Sequence, residues 1–343
     1  MKKWAVSLLL AGGLAIAQSQ PLKDVQSALQ RKDYATALRL VRPLAQGGDA
    51  NAQTILGTMY AFGFGVSKND TEAVNWFRKA AEQGQPAAQG NLGIAYLSGQ
   101  GVKQNYTEAA SWLRKAADQN EPQAQADLGS LYARGEGVKK DPVQAMVWYR
   151  KAADQGVPGA QYSLGVAYAN GMGAPKNEAE AVIWFRKAAD QGVPEAQAAL
   201  GMSYAIGMGV AKNPAEAVKW SSKAAQHGIS QGQESLRGLA EEGYAPAQNE
   251  LGLTYEKGWG SLKIDAEAVN WYRRAAQQKF AAGQFNLGRM YAAGKGIRQS
   301  DIEAYKWFSL AAAQGNLDAR KQLAEVAKRL TAEQIAEAKQ ASR

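Results

Sequence analysis

The chain has no cysteine and one histidine, His227, among its 343 residues. The first absence excludes disulfides, thiolate zinc sites and lipid attachment to an N-terminal cysteine. The second excludes multi-histidine metal centres and leaves one candidate general base. Beyond the first 17 residues, no run approaches the roughly 18 apolar residues that mark a membrane-spanning helix, so no transmembrane segment is expected. Acidic residues are fewer than basic ones, 31 against 40, for a formal charge of +9. That excess favours acidic partners or anionic surfaces but is too mild to diagnose nucleic-acid binding, and none is expected.

What the chain does have is a period. Leu56-Gly57 returns as Leu92-Gly93, Leu128-Gly129, Leu164-Gly165 and Leu200-Gly201, 36 residues apart, and after an offset as Leu251-Gly252 and Leu287-Gly288. Each is followed by a Tyr, a Gly-x-Gly, a Trp and an Ala-Ala. A period of this length marks a solenoid, in which each unit buries its apolar face against its neighbours.

Within a unit the spacing predicts two helices. Ala52, Leu56 and Tyr60 share one stripe of helix A, and Gly57 at mid-helix lets a partner helix come close. Gly63-Phe64-Gly65 ends helix A. Helix B opens on a capping box, Asn69 with Glu72, which recurs at Asn105, Asp141, Asn177, Asn213 and Ser300, with Ile264 the exception. Pro142 and Pro214 follow their caps directly, where proline forfeits no hydrogen bond. Ala73, Trp76, Ala80 and Ala81 form the apolar face of helix B, and helical spacing beside Ala-Ala assigns the Trp series to packing rather than to a ligand cage. Lys2 and Lys3, an apolar stretch and Ala15-Ile16-Ala17 resemble a secretory signal over residues 1–17, which places the mature protein in the periplasm of a Gram-negative bacterium or outside the cell.

The pattern Ala-Gln-x-x-Leu-Gly-x-x-Tyr-x-x-Gly-x-Gly-Val, then Asn/Asp, Ala, Trp, Ala-Ala and Gly, resembles the Sel-one-like repeat, a relative of the tetratricopeptide repeat. The resemblance implies an all-α fold, a right-handed α-solenoid superhelix of antiparallel helix pairs that binds protein or peptide partners, here an envelope or host protein. On this reading 18–50 is an N-terminal capping helix pair, 51–230 five repeats, 231–245 a truncated repeat, 246–317 two repeats and 318–343 C-terminal capping helices. Asn120 and Lys279 replace the glycine that closes helix B, and Ala174 and Ser261 replace the loop valine. Helix A of the truncated unit runs into Leu239 to Gly243, which resembles the end of a helix B.

No catalytic constellation, metal site or cofactor is expected. His227 stands beside Gly228 at a predicted helix end, where capping is its expected role. The Gly-x-Gly loops follow helices and lack the further residues of a phosphate cradle. Paired cations such as Arg78-Lys79 and Arg114-Lys115 recur on helix B, either as a solvated face or as a basic stripe for an anionic surface. A third possibility, hydrolysis of cell-wall or β-lactam compounds, comes from cysteine-rich relatives whose cysteines are absent here. Tetratricopeptide relatives line their groove with helix A, which makes its variable positions the candidate partner-binding residues: Ser130, Arg134, Tyr162, Asn170, Asn249, Lys257, Phe285 and Arg289. Aromatic residues and Arg are the types that dominate interface energies. Oligomeric state is left open by the sequence.

Overall fold

A computed structural model describes residues 19–340 as nineteen α-helices, with no strand among them. The expected signal peptide over 1–17 lies outside the described residues. The helices fall into two compact units, the first running to Ala167 and including Gly171–Pro175, the second comprising Tyr168–Asn170 and everything from Lys176 onward.

Unit 1 begins with the pair α1 (Gln20–Gln30) and α2 (Tyr34–Gln46). Three full repeats follow: α3 (Ala50–Phe62) with α4 (Asp70–Glu82), α5 (Pro86–Ser98) with α6 (Tyr106–Asp118), and α7 (Pro122–Arg134) with α8 (Pro142–Asp154). Helix α9 (Pro158–Asn170) comes next, and its last turn counts with unit 2. Unit 2 contains α10 (Glu178–Asp190), α11 (Pro194–Ile206), α12 (Pro214–Gln226), α13 (Ser230–Glu241), α14 (Ala245–Lys257), α15 (Asp265–Gln277), α16 (Ala281–Ala293) and α17 (Asp301–Ala313). It closes with α18 (Leu317–Ala327) and α19 (Ala332–Gln340).

Caps set the helix lengths. Side chains of Asn69, Asn105, Asp141, Asn177, Asn213 and Ser300 accept from the backbone of the first turn of helix B, whereas Ile264 offers nothing. The reciprocal half of the predicted box is corrected by the structure. Each cap N–H donates instead to the Tyr carbonyl of helix A, as Asn69 does to Tyr60 at 2.9 Å, so the following carboxylate is released. Glu216 and Glu303 use that freedom to accept from the indoles of Trp220 and Trp307 at 2.9 and 3.1 Å. A complete box does form at the last helix, where Thr331 and Gln334 bond each other's backbone.

The Trp series packs in the core, but not against the mid-helix glycine. The residue that meets the mid-helix glycine is the one after the Trp: a Cβ on Gly57, Gly252 or Gly288 would stand 2.7 Å from the ring of Phe77, Tyr272 or Phe308. Tyr272, Phe308 and Leu113 are fully buried, while Trp148, Trp184, Trp220 and Trp271 are buried at the edge of the same face. Asn120 and Lys279 take the left-handed conformation that glycine holds elsewhere, with φ of 66° and 60°.

Polar rungs join successive repeats. The Gln of each Ala-Gln donates to the helix-B carbonyl eight residues earlier, as Gln89 to Ala81 and Gln248 to Ala240. Its own carbonyl accepts from the Gln that ends the following helix B, with Gln53–Gln83, Gln89–Gln119 and Gln125–Gln155 each at 2.8 Å in unit 1 and Gln248–Gln278 and Gln284–Gln314 at 2.8 Å in unit 2. His227 stands where that terminal Gln is expected, and the buried Gln197 Oε1 has no hydrogen-bond partner.

Helix α13 is one helix that serves as two. Toward α12 it behaves as a helix A: Gly232 packs on Ser221 and Ala224, and Ser235 accepts from Ser221 at 2.9 Å. Toward α14 it behaves as a helix B, because Arg237 donates to the Tyr255 hydroxyl as Arg78 does to Tyr96, and Ala240 receives Gln248. Gln233 leaves the ladder and bonds Ser261 at 2.9 Å.

Candidate functional site

Three of the eight candidate residues meet in unit 2. On α16, the Arg289 guanidinium donates from Nη2 to Glu256 Oε2 at 2.8 Å and from Nε to Asn286 Oδ1 at 3.2 Å. Asn286 donates to Asn249 Oδ1 on α14 at 2.9 Å, and Asn249 donates to Glu250 at 3.2 Å. From α15 below, Tyr272 donates to the same Glu256 oxygen at 2.7 Å. Phe285 completes the cluster, tilted against Phe308 at 5.9 Å with Arg289 over its ring at 5.9 Å.

This is a braced polar site on the face of helix A. The Glu256 side chain is 7 % exposed and that of Arg289 35 %, so the carboxylate is held inside and the guanidinium reaches toward solvent. Burial pushes the Glu256 carboxyl up, but hydrogen bonds from Tyr272 and Arg289 and the Arg289 charge outweigh it and leave it below the ordinary value. The Tyr272 hydroxyl is driven well above its usual range by burial and by its bond to that carboxylate. A buried carboxylate with two charge-assisted bonds fixes Arg289 in one pose. Lys257 follows Glu256 at the end of α14, exposed to solvent.

The other candidates lie within their own elements, α7 and α9. In unit 1, Ser130 is half-buried and shares a 3.2 Å hydrogen bond with Tyr149 of α8, and Arg134 is exposed with Glu136 at 3.7 Å. Tyr162 is half-buried and Asn170 exposed, both on α9. The positional count along helix A missed Glu256, Tyr272 and Asn286. One of them carried a signal: Glu256 occupies the place of Ala61, Leu97 and Ala205, whereas Tyr272 stands where Phe77, Leu113 and Tyr149 stand.

Unit 1 holds one further feature on α7. Burial pushes the Asp127 carboxyl up to about 6, against a lowering from the Gln123 amide at 3.1 Å and with a small raising by Glu121. Glu121 is itself raised, by burial first, although it caps the amide of Ala124.

The paired cations of helix B are occupied. Arg78 and Arg114 reach the Tyr hydroxyl of the next helix A, while Lys79, Lys115 and Lys151 lie 3.9–4.3 Å over the rings of Trp76, Trp112 and Trp148. In unit 2, Lys187, Lys223 and Arg274 repeat this over Trp184, Trp220 and Trp271 at 3.9–4.5 Å. His227 caps α12, with Nδ1 2.9 Å from the Lys223 carbonyl. Among the described residues no three His, Cys, Asp or Glu side chains are grouped to hold a metal ion, and no helix is long and apolar enough to cross a membrane.

Helix pairs with nearest-neighbour rungs define an all-α repeat solenoid, and the site is a decoration of that scaffold. The Sel1 repeat model matches residues 50–85, 86–121, 122–157, 158–193, 194–229, 245–280 and 281–316, and the chain belongs to the Sel1 repeat family. It is similar to a Sel1 repeat protein from Oxalobacter formigenes, with 31% identity over 75% of this chain and 97% of that one and a TM-score of 0.59. It is also similar to c5321, a protective antigen of uropathogenic Escherichia coli with an SLR fold, at 30% identity over 99% of this chain and 84% of that one, with a TM-score of 0.47. No curated protein matches the chain.

Proposed function

We propose that the chain is an exported, non-enzymatic scaffold of the periplasm or cell exterior that holds a protein or peptide segment along its helix-A faces. Family membership supports a scaffold for protein interaction. The observation that carries the site is the bracing of Arg289: Glu256 and Tyr272 hold one guanidinium in a single pose at the surface, which lowers the ordering cost of recognition. Ser130, Arg134, Tyr162 and Asn170 are the corresponding contacts on repeats 3 and 4, and Lys257 borders the braced site. The engagement of the helix-B cations with Trp and Tyr weighs against a basic stripe for anionic surfaces.

Cross-linking capture from an envelope fraction tests the proposal. Asn286→Ala, which leaves the Glu256–Arg289 pair in place, and Arg134→Glu are each expected to reduce capture of at least one partner relative to the unaltered chain. Identical capture by both folded variants would remove the helix-A assignment.

A further inference from the structure

The single helix α13 changes the direction of everything after it. Lys212, just beyond the C-terminal end of α11, pairs with Glu242 at the C-terminal end of α13 at 2.9 Å, so these ends share an edge and the two helices run parallel. Gly260, just beyond the C-terminal end of α14, faces Ile229 O at a Cβ distance of 3.4 Å, beside the N-terminus of α13. Helix α14 therefore runs antiparallel to α13 and to α11. Both α11 and α14 are A helices, and in an uninterrupted array consecutive A helices are parallel.

A repeat built of L-residues has a fixed hand. It can reverse its helix direction while the array keeps advancing only by turning half a revolution about the array axis, and that rotation carries the A face to the other side. Packing agrees: α14 contacts α12 as well as α13, which places an A helix of the later repeats in the layer of the earlier B helices.

We infer that α13 turns the array over within unit 2, so that the face of α14 and α16 is a binding surface separate from the face of α11 and takes a short extended peptide of its own. This rests on the scaffold reading above. One segment cannot run along both faces. The separate face spans α14, α16 and the end helix α18, three axes about 8–10 Å apart, which fits an extended segment of roughly six to nine residues. Its chemistry is balanced: Glu256 neutralises Arg289, and unengaged donors remain on Arg289 Nη1 and Asn286 Nδ2. Such a surface suits the carbonyls and amides of a peptide main chain better than a highly charged ligand, with Phe285 as the apolar contact.

The register supplies the test. Removing residues 230–244 joins Gly228-Ile229 to Ala245-Pro246-Ala247-Gln248, matching Gly192-Val193-Pro194-Glu195-Ala196-Gln197, and restores an unbroken 36-residue phase. Because the chain lacks cysteine, Met202→Cys and Leu253→Cys accept nitroxide labels at equivalent positions of α11 and α14. Dipolar spectroscopy should give about 20 Å or more in the full chain, across two helix layers, and about 10 Å in the deletion variant, where the labels become neighbours. The short distance in both would overturn the inversion. For the occupant, a random nonapeptide library displayed on phage is panned on the full chain. Selected peptides should lose at least tenfold in affinity with Asn286→Ala and none with Ile206→Asp. Dependence on both substitutions would mean one continuous groove and overturn the separate face. Dependence on neither, with the long label distance kept, would overturn the peptide site and leave the inversion standing.

Discussion

His227→Gln should stabilise unit 2. Five pairs of glutamines in the two units close the ladder at 2.8 Å, and in each the Gln at the end of helix B donates to the carbonyl of the Gln on helix A thirty residues earlier. At Gln197 that acceptor is buried and unpartnered because His227 spends its ring nitrogen on the Lys223 carbonyl. A glutamine can do both, since Gln83 and Gln119 also reach the carbonyls of Lys79 and Lys115 at 3.3 and 3.4 Å. An unsatisfied buried acceptor costs about 1–3 kcal/mol. Ordering an exposed glutamine side chain offsets part of that, so a net gain of about 1 kcal/mol is expected. In a body of this size the gain corresponds to a melting shift of about 2–4 °C. Differential scanning calorimetry with His227→Ala as control decides it. An equal rise in the alanine variant, or none in the glutamine variant, would refute the ladder argument.

Asp127→Asn should stabilise unit 1 at pH 7.5 by up to about 2 kcal/mol and change little at pH 4. The folded carboxyl, raised to about 6, binds protons that the unfolded one releases, so stability falls as pH rises from about 4 through 6; a pH series of melting curves reads this directly, and an equal gain at pH 4 would contradict it. Glu256→Ala should cost about 2–3 kcal/mol, because Tyr272 loses its acceptor and the partly exposed Arg289 its partner. Since the Glu256 carboxyl lies below its ordinary value, its contribution is present at neutral pH and disappears as pH drops through the folded value, so urea midpoints of the two proteins should converge in acid. Ile264→Asn should add about 1 kcal/mol by supplying the cap that the other six helices have, visible as a higher urea midpoint. Trp148→Ala should cost about 3–5 kcal/mol within unit 1, read as early loss of amide protection in α7 and α8.

The fold was legible because each weak signal was repeated: a mid-helix glycine or a lone Asn says little once, but five copies in phase and two more after an offset leave one fold class. The site was legible only where it stayed on one helix. Counting positions along helix A picked out Asn249, Phe285 and Arg289, which the structure brings into one cluster. It missed Tyr272, which reaches Glu256 from a helix-B position that elsewhere holds Phe, Leu, Tyr or Ser and passes for core. Helical periodicity describes one element's faces and is blind to what a neighbour brings, and a carboxylate at the place of an alanine was the only trace of that neighbour. The capping boxes failed halfway for the same reason, because the cap amide was claimed by a tyrosine carbonyl of another helix.

The glutamine ladder ties each of its members to the adjoining repeat, across 30 residues between glutamines and 35 where Gln119 and Gln155 also reach Gly84 and Asn120. Within each unit, then, a repeat can reach its final structure as soon as the next helix pair is available, without waiting for distant sequence. Such a chain can be folded in the order in which it is delivered, and within a unit its ordered portion can lengthen one rung at a time.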